Sequence, residues 1–193
     1  HLEKYNLEDK LSKIAPNSQI VVIDGLTEGA ACTVLAAEKF INNEIPLMIA
    51  NSDQYIDYSI DTYLEKQFKD SCDGLVMTMK ANDPKWSFIG FNKNNEVERI
   101  VEKEVISDEA TVGIYNFSKG SDFVYGAKKM IQEDLRVNGE FYVAPVYNIL
   151  LKENVYKIEI VNIGSEQNGM YGLGIPDDLN FFLKTDIAKK INL

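Results

Sequence analysis

Apolar and polar positions alternate in blocks over residues 1–80, and the blocks predict helices and strands in turn. Apolar residues at three- and four-residue spacing indicate helices, and short continuous apolar runs indicate strands covered on both faces. The predicted helices span 2–15, 30–41 and 59–69, and the predicted strands span 19–24, 74–80 and a run that ends at Asn51. A strand, a helix and a strand in this order form a parallel βαβ unit. We expect the strands that end near Asp24, Asn51 and Lys80 to be neighbours in a largely parallel sheet.

The second half of the chain predicts a mixed sheet. Residues 87–92 and 97–103 are typical of a hairpin, since Asn94 and Asn95 tolerate the positive φ that tight turns need. The remaining predicted elements are strands over 110–117 and 156–163, a helix over 122–135 with Ser121 as N-cap, a helix from Pro145 and a last helix from Pro176. We therefore expect one domain over residues 1–193, an α/β/α sandwich of three layers with a mostly parallel mixed sheet.

The composition limits the kind of ligand. The 193 residues are 45% hydrophobic, within the ordinary globular range. Asp and Glu number 30 against 20 Lys and Arg, a net charge of -10, which argues against a nucleic-acid binder. No apolar run is long enough to cross a bilayer, and no signal peptide is visible. The two cysteines, Cys32 and Cys72, lack metal-ligand spacing, and we interpret both as reduced thiols of a cytoplasmic protein.

Three short segments carry candidate chemistry, and each has a plainer interpretation. In "GLTEG", Thr27 is a possible N-cap and Gly29 would let a ligand approach the backbone closely, although any turn that needs glycine would look the same. Asp53 follows a predicted strand, and together with Asp57 it could hold Mg²⁺, unless both are solvated loop acids. Lys103 is a candidate phosphate ligand or a surface ion pair. No single segment decides between these interpretations.

The order of six segments is more specific. The segments are "GLTEGAACTVLAA", "IANSDQYID", "WSFIGFNKNNEVERIVEK", "ATVGIYNFSKGSDFV", "NGEFYVAPVYNILL" and "GLGIPDDLNFFL". In this order they resemble the sugar-1-phosphate nucleotidyltransferase family, the nucleoside-diphosphate-sugar pyrophosphorylases. The resemblance extends over residues 19–184. It implies a Rossmann-like nucleotide-diphospho-sugar transferase fold.

The resemblance implies a nucleotide site near the predicted sheet edge. In the family, the glycine-containing turn before the second helix contacts the nucleobase, which corresponds here to Thr27, Glu28 and Gly29. The aspartate after the next strand binds the Mg²⁺ that bridges the nucleotide phosphates, which corresponds to Asp53. Asp53 would thus be a metal ligand and a catalytic residue.

The resemblance also implies a sugar-phosphate site. The hairpin glycine near the sugar corresponds to Gly90, and the pair that holds a sugar hydroxyl and the phosphate corresponds to Glu102 and Lys103. Gly113 and Tyr115 correspond to the strand that lines the sugar pocket. We expect Asp53, Glu102 and Lys103 to face one cleft together with Gly29 and Gly90.

The reaction implied by the family joins two anions. A sugar 1-phosphate attacks the α-phosphorus of a nucleoside triphosphate in line and releases pyrophosphate, and a metal and a lysine offset the repulsion. No general base is needed, because a phosphate monoester is already ionised; the single histidine is His1. The implied partners are the nucleoside triphosphate and the sugar 1-phosphate, with a homo-oligomer as a further option. The implied role is cytoplasmic synthesis of nucleotide-sugars for surface polysaccharide, such as capsule or lipopolysaccharide.

Two departures from the family pattern affect the expected activity. The glycine-rich loop that cradles the triphosphate, G-x-G-x-R followed by lysine, is not found. Since the chain begins at His1 within a predicted helix, we expect an N-terminal part of the domain to be missing and the chain alone to be inactive. The second departure is Gly172, where many relatives carry a second metal-binding aspartate. Asp177 or Asp178 could replace it, or Asp53 could bind the metal with the phosphates alone.

Two alternative functions remain open at this point. A glycosyltransferase that uses a nucleotide-sugar has a related fold, but its Asp-x-Asp motif needs two carboxylates one residue apart, and Asp53 and Asp57 are four apart. A non-catalytic regulatory subunit that binds a nucleotide-sugar would be compatible with Gly172 and with the missing loop.

Overall fold

The fold consists of short helices around one extended sheet. A computed structural model describes residues 2–153 and 156–191. The helices are α1 (Leu2–Tyr5), α2 (Leu7–Ile14), α3 (Ala30–Leu35), α4 (Glu38–Ile41), α5 (Ile60–Lys69), α6 (Gly120–Gln132), α7 (Val146–Lys152), α8 (Pro176–Phe182) and α9 (Asp186–Lys190). The strands are β1 (Leu47–Ala50), β2 (Gln54–Ile56), β3 (Gly74–Lys80), β4 (Ser87–Phe91), β5 (Val97–Glu102), β6 (Glu109–Phe117), β7 (Ile158–Glu166) and β8 (Gly169–Gly172).

The sheet is mixed, and most of its strands run in one direction. The strand order is β2-β8-β7-β3-β6-β4-β5, and β1 pairs with β6 beside this path. β3 pairs parallel with β7 and β7 with β8, whereas the other pairings are antiparallel. It follows that β1, β3, β4, β7 and β8 run one way and β2, β5 and β6 the other. β1 and β3 share a direction but are separated by the antiparallel β6, so they are not direct neighbours.

Two apolar cores cover the two faces of the sheet. On one face, Val76 and Phe117 pack with Phe123 of α6 and Tyr147 of α7. On the other face, Leu75 and Met77 pack with Tyr63 of α5. These layers confirm the predicted α/β class and the α/β/α sandwich. The continuous apolar run of β3 is buried from Gly74 to Met79, as expected for a strand with helices on both faces.

The prediction of a strand over residues 19–24 is wrong. These residues have no regular secondary structure, and the Val22 side chain is 65% exposed. Apolar β-branched residues favour a strand only where a neighbouring strand can pair with them. Among the described residues, no strand does so. The end of this segment at Asp24 is therefore not part of the sheet edge.

Several helix boundaries also differ from the predictions. The helix predicted over residues 2–15 is two helices, because Asn6 has a left-handed conformation between α1 and α2. The N-cap of α6 is Lys119 and not Ser121, whose hydroxyl group instead donates to Glu44. By contrast, α8 begins at Pro176 as predicted, because proline is tolerated where an amide donor has no partner.

Both cysteines are free thiols, and the described part of the chain contains no helix suited to crossing a membrane. Cys32 and Cys72 are free thiols, as predicted from their spacing. Burial is the main cause that raises the pKa of Cys72. Within 2–153 and 156–191, no helix combines the length and the apolar character needed to cross a bilayer.

Candidate functional site

A cleft of about 250 Å³ opens where β4, β5 and β6 meet the loop before α7. The predicted residues among those that line it are Glu102, Lys103, Gly113 and Tyr115. Ala30 lines it beside the predicted turn, and Asn51 lines it two residues before Asp53. The structure therefore brings residues from six separate segments of the sequence to one concave surface.

The conformation of Lys103 explains how two consecutive residues line the same cleft. Successive side chains of a strand point to opposite faces, so Glu102 and Lys103 would diverge in a regular strand. Lys103 has φ +63°, which turns the chain back after β5. Its ammonium nitrogen lies 3.3 Å from Oε1 of Glu102 and also donates to the carbonyl oxygen of Lys85. The cleft thus has a cation beside an acceptor.

The Glu102 side chain is buried, whereas the Lys103 side chain is partly exposed to solvent. Their side chains are 5% and 34% exposed, respectively. The second carboxylate oxygen of Glu102 accepts a short hydrogen bond from the Ser87 hydroxyl group. The ring of Tyr142 lies 5.5 Å from the Lys103 nitrogen and forms a wall of the cleft. A ligand can therefore reach the ammonium group first and the carboxylate below it.

Gly113 is required by the close approach of Asn51. Gly113 has φ +77°, and a Cβ atom there would overlap the side-chain amide of Asn51. The backbone N–H of Asn51 donates to the carbonyl oxygen of Gly113 over 3.0 Å, which extends the pairing of β1 with β6 by one residue. This arrangement positions the residues after β1 at the cleft.

The turn at Thr27–Gly29 is hydrogen-bonded to Phe141, which precedes a strip of residues, 142–144, that lines the other side of the cleft. The Phe141 amide donates to the Glu28 carbonyl oxygen over 2.8 Å, and the Ala31 amide donates to the Phe141 carbonyl oxygen over 3.0 Å. The Glu28 carboxylate pairs with Arg136 at 2.6 Å. The Thr27 hydroxyl group lies 2.6 Å from that of Thr33, within the first turn of α3. These contacts position Ala30 and the 142–144 strip together.

Replacement of Gly29 by alanine is expected to destabilise this turn. Gly29 has φ +128°, and a Cβ atom there would lie 2.5 Å from the Phe141 carbonyl oxygen. We expect Gly29→Ala to lower the free energy of unfolding by more than about 2 kcal/mol, since backbone strain of this kind costs roughly 1–3 kcal/mol before any clash. Gly25→Ala is the matched control, because Gly25 has φ +95° but nothing within 4 Å of the added atom. Equal losses in urea denaturation would show that the Phe141 contact has no effect.

Asp53 lies next to the cleft rather than in its lining. It is exposed and follows β1, and its carboxylate faces Gly174, where a Cβ atom would come within 2.6 Å of Oδ2. The Leu173 amide donates to the Asp53 carbonyl oxygen over 2.8 Å. The segment from Gly172 to Gly174 is therefore packed against Asp53.

Asp178, one of the two residues predicted to replace the metal-binding aspartate expected at Gly172, also lies close to this segment. A Cβ atom on Gly172 would lie 3.1 Å from Oδ2 of Asp178, at the start of α8. The carboxylates of Asp53 and Asp178 thus flank Gly172–Gly174. Lys85 lies between this region and the cleft, which it lines. The pKa of Lys85 is raised mainly by its hydrogen bond to Glu166, and the negative charge of Asp178 raises it further by a smaller amount.

Asp57 is too far along the chain to bind the same ion as Asp53. The two residues flank β2, which spans Gln54–Ile56. A strand rises by about 3.3 Å per residue, so their backbones are more than about 10 Å apart. The described residues contain no group of three or more His, Cys, Asp or Glu side chains that could hold a metal by themselves. Asp53 and Asp178 offer hard oxygen donors, which suits Mg²⁺ that shares its coordination with phosphate groups.

Gly90 is not brought into the cleft. It pairs with Arg99, and a Cβ atom there would meet the Arg99 and Ile106 side chains. Ser87, three residues earlier in β4, pairs with Glu102 and lines the cleft instead. Sequence reasoning missed Ser87, Lys85, Trp86 and Tyr142. The hairpin register would have found Ser87, because it is the residue of β4 opposite the end of β5.

The fold and the cleft define a Rossmann-like α/β protein whose candidate site lies at the sheet edge beyond β1. The chain belongs to the nucleotidyl transferase family, whose family model matches residues 4–143. The resemblance inferred from the six sequence segments is thereby confirmed.

Individual relatives cover different shares of the chain. The bifunctional protein GlmU of Pseudothermotoga lettingae is 24% identical over 165 residues, which cover 78% of this chain and 35% of that protein. The chain thus spans about a third of the length of this curated relative. Nucleoside-diphosphate-sugar pyrophosphorylase of Vibrio cholerae RC9 superposes with a TM-score of 0.80 at 20% identity, over 96% of this chain and 77% of that chain.

Two further solved structures have the same fold. A putative glucose-1-phosphate thymidylyltransferase of Bacillus anthracis, in complex with a sucrose, has a TM-score of 0.67 at 18% identity, over 91% of this chain and 70% of its own. A UDP-glucose pyrophosphorylase complexed with UDP-glucose has a TM-score of 0.66 at 17% identity, over 96% of this chain and 74% of its own. At these identities the likeness concerns the fold, and it confirms the predicted Rossmann-like class.

Proposed function

We propose that the protein transfers a nucleotidyl group from a nucleoside triphosphate to a sugar 1-phosphate or a related small phosphorylated compound, with release of pyrophosphate. The observation that carries this proposal is the Glu102–Lys103 pair in a cleft of a nucleotidyl transferase family member. A buried acceptor beside an accessible ammonium group suits a ligand that has a hydroxyl group close to a phosphate group.

The positions of these residues support the division of the site that the family resemblance implies. Lys103 would bind the phosphate group of the acceptor, and Glu102 would accept a hydrogen bond from one of its hydroxyl groups. Gly113 and Tyr115 would line the sugar pocket. The turn of Thr27, Glu28 and Gly29, beside Ala30, would border the nucleobase. Tyr142 and Trp86 add aromatic surface on which a sugar ring could pack.

Asp53 and Asp178 would hold Mg²⁺ together with the nucleotide phosphates. When bound, the ion would neutralise negative charge on the transferred phosphoryl group. Lys103 would orient the attacking phosphate oxygen and offset the repulsion between the two substrates. The nucleophile is an ionised phosphate oxygen, so the residues around it need not accept a proton.

For the wider biological role we keep the role that the family resemblance implies. We infer a cytoplasmic role in nucleotide-sugar synthesis for surface polysaccharide, in a protein in which residues 1–193 belong to one nucleotidyltransferase domain. The glycine-rich loop of the family is not found in this sequence, so we expect turnover to require a longer gene product.

The experiment is a screen of the protein encoded by the whole gene. The common nucleoside triphosphates and sugar 1-phosphates are combined in pairs with Mg²⁺, and pyrophosphate release is followed. We expect one or a few pairs to turn over well above the others, because the cleft is small and its polar groups are fixed in place. Binding of a nucleotide-sugar without pyrophosphate release from any pair would favour the regulatory subunit instead. Transfer of a sugar from a nucleotide-sugar to an acceptor would favour the glycosyltransferase.

A further inference from the structure

The cleft contains a second cation, Lys85, to which the proposed function assigns no role. Of the residues that line the cleft within the described part of the chain, Lys85 and Lys103 are basic and Glu102 is acidic. The lining is therefore net positive, whereas the whole chain has a net charge of -10. A concave surface with charge of one sign attracts ligands of the opposite sign. The second lysine thus makes this cleft a favourable place for more than one anionic group.

The backbone around Lys85 is held in place by hydrogen bonds on both sides. Oδ1 of Asp83 accepts from the backbone N–H of Lys85 over 2.9 Å, and the backbone N–H of Trp86 donates to the Asp83 carbonyl oxygen over 3.3 Å. From the other side, the backbone N–H of Lys103 donates to the Trp86 carbonyl oxygen over 3.0 Å. The Lys103 ammonium group donates to the Lys85 carbonyl oxygen. The two lysine side chains therefore start from adjacent segments that are bonded to each other.

The two ammonium groups contact different acids. The Lys103 nitrogen lies 3.3 Å from Oε1 of Glu102. The Lys85 nitrogen lies 2.7 Å from Oε1 of Glu166, the last residue of β7. Glu166 lines a small hollow together with Asp178. The Lys85 ammonium group is thus directed toward the side of the cleft where the nucleotide phosphates are proposed to share Mg²⁺.

The contact with Glu166 leaves the Lys85 ammonium group available to a ligand. The two side chains are 47% and 38% exposed, and an exposed ion pair contributes little to stability. A lysine ammonium group has three donor hydrogens on a flexible stem. Lys85 can therefore bond to a phosphate oxygen, either beside Glu166 or in its place, at little cost in stability.

We propose that Lys85 is a second phosphate-binding residue, which contacts the phosphate groups of the nucleotide while Lys103 contacts that of the sugar 1-phosphate. The two lysines would hold the two anions on either side of the position where they react, and they would offset the repulsion between them. The proposal rests on the proposed function, because it assumes that two phosphorylated substrates occupy the site together.

The first test uses two anions that contain neither base nor sugar. Inorganic tripolyphosphate with Mg²⁺ represents the phosphate groups of any nucleoside triphosphate, and inorganic phosphate represents the acceptor phosphate. Calorimetry on the protein encoded by the whole gene measures the Kd for each anion. We expect Lys85→Gln to weaken tripolyphosphate binding about tenfold, as for loss of one hydrogen bond to a charged group, and to change phosphate binding by less than about twofold. Lys85→Arg should retain tripolyphosphate binding, because arginine keeps the charge and the donors.

Lys128→Gln is the matched control for the loss of charge. Lys128 pairs with Glu38 at 2.6 Å, and the side chains are 55% and 36% exposed, close to the values for Lys85 and Glu166. Lys128 is not part of the cleft lining. We expect Lys128→Gln to change neither Kd by more than about twofold, because a distant surface charge is screened by salt. If Lys85→Gln behaves like Lys128→Gln, Lys85 is only a surface ion pair and the proposal is wrong. Equal weakening of both anions by Lys85→Gln would also overturn it, since that result would indicate long-range attraction rather than contact.

Kinetic measurements separate this proposal from the proposed function. With a substrate pair identified in the pyrophosphate screen, Lys85→Gln should raise the KM for the nucleoside triphosphate about tenfold and change the KM for the sugar 1-phosphate by less than about twofold. An active pair whose KM for the nucleoside triphosphate is the same in the wild type and in Lys85→Gln would overturn the role of Lys85 while the proposed function stands. The absence of any active pair, together with no binding of tripolyphosphate to the wild type, would overturn both.

Discussion

Replacement of Asp53 by alanine is expected to lower pyrophosphate release by at least about 10³-fold at saturating substrates. A divalent ion supplies several kcal/mol of stabilisation to charge that develops in the transition state, and each ~1.4 kcal/mol is tenfold in rate. Because the ion would stabilise this charge more strongly in the transition state than in the ground state, kcat should fall and not only the affinity for sugar phosphate. The measurement is pyrophosphate release by the whole gene product, wild type and Asp53→Ala, at saturating substrates.

The matched control for Asp53 is Asp57→Ala. Both residues are exposed aspartates that flank β2, but only Asp53 packs against Gly174. We expect Asp57→Ala to retain the wild-type rate within about twofold, as is usual for surface substitutions, which change stability by less than about 0.5 kcal/mol. Equal rates for wild type and Asp53→Ala would remove Asp53 from the mechanism and would favour the regulatory subunit over the enzyme.

The central strands could be predicted from the sequence because their burial leaves a clear pattern. β3 spans Gly74–Lys80 as predicted, and its apolar run has helices over both faces. The hairpin of β4 and β5 agrees with the prediction to within one residue, and Asn95 has the positive φ that its turn requires. For these elements, local sequence and tertiary environment favour the same conformation.

The segment over residues 19–24 shows where the same reasoning fails. Its apolar residues are as suitable for a strand as those of β3, yet it has no pairing partner among the described residues. Strand formation depends on a neighbour that lies elsewhere in the sequence, and local composition contains no information about it. β2 and β8 were missed for the opposite reason: at three and four residues they are too short to show a periodic pattern, and they form by pairing with each other.

The candidate site was only partly predictable for a related reason. The resemblance to the family located Glu102, Lys103, Gly113 and Tyr115, all of which line the cleft. Gly90 does not line it, because Ser87 and not Gly90 lies opposite Glu102 in the hairpin, and Gly29 and Asp53 are not among the lining residues. The left-handed conformation of Lys103 and the contact of Asp178 with Gly172 depend on three-dimensional packing and leave no signature in the sequence.

Replacement of Lys103 by glutamine is expected to lower kcat/KM by about 10²- to 10³-fold, as is usual when one group that stabilises transition-state charge is removed. Glutamine keeps a side-chain N–H donor but is one bond shorter than lysine, so the substitution removes the charge and shortens the donor that reaches the Lys85 carbonyl oxygen in the wild type. The loss should include weaker binding of inorganic phosphate, because the ammonium group contacts the ligand directly.

Lys93→Gln is the matched control, since Lys93 is an exposed lysine of the β4–β5 turn and is not part of the cleft lining. It removes one positive charge from a protein of net charge -10 without changing the site. If both variants weakened phosphate binding equally, and the loss disappeared in 0.5 M salt, on the order of several times physiological ionic strength, Lys103 would contribute only to long-range attraction. A loss specific to Lys103→Gln that persists in salt would identify a direct contact, because a partly buried ion pair is screened much less than separated surface charges.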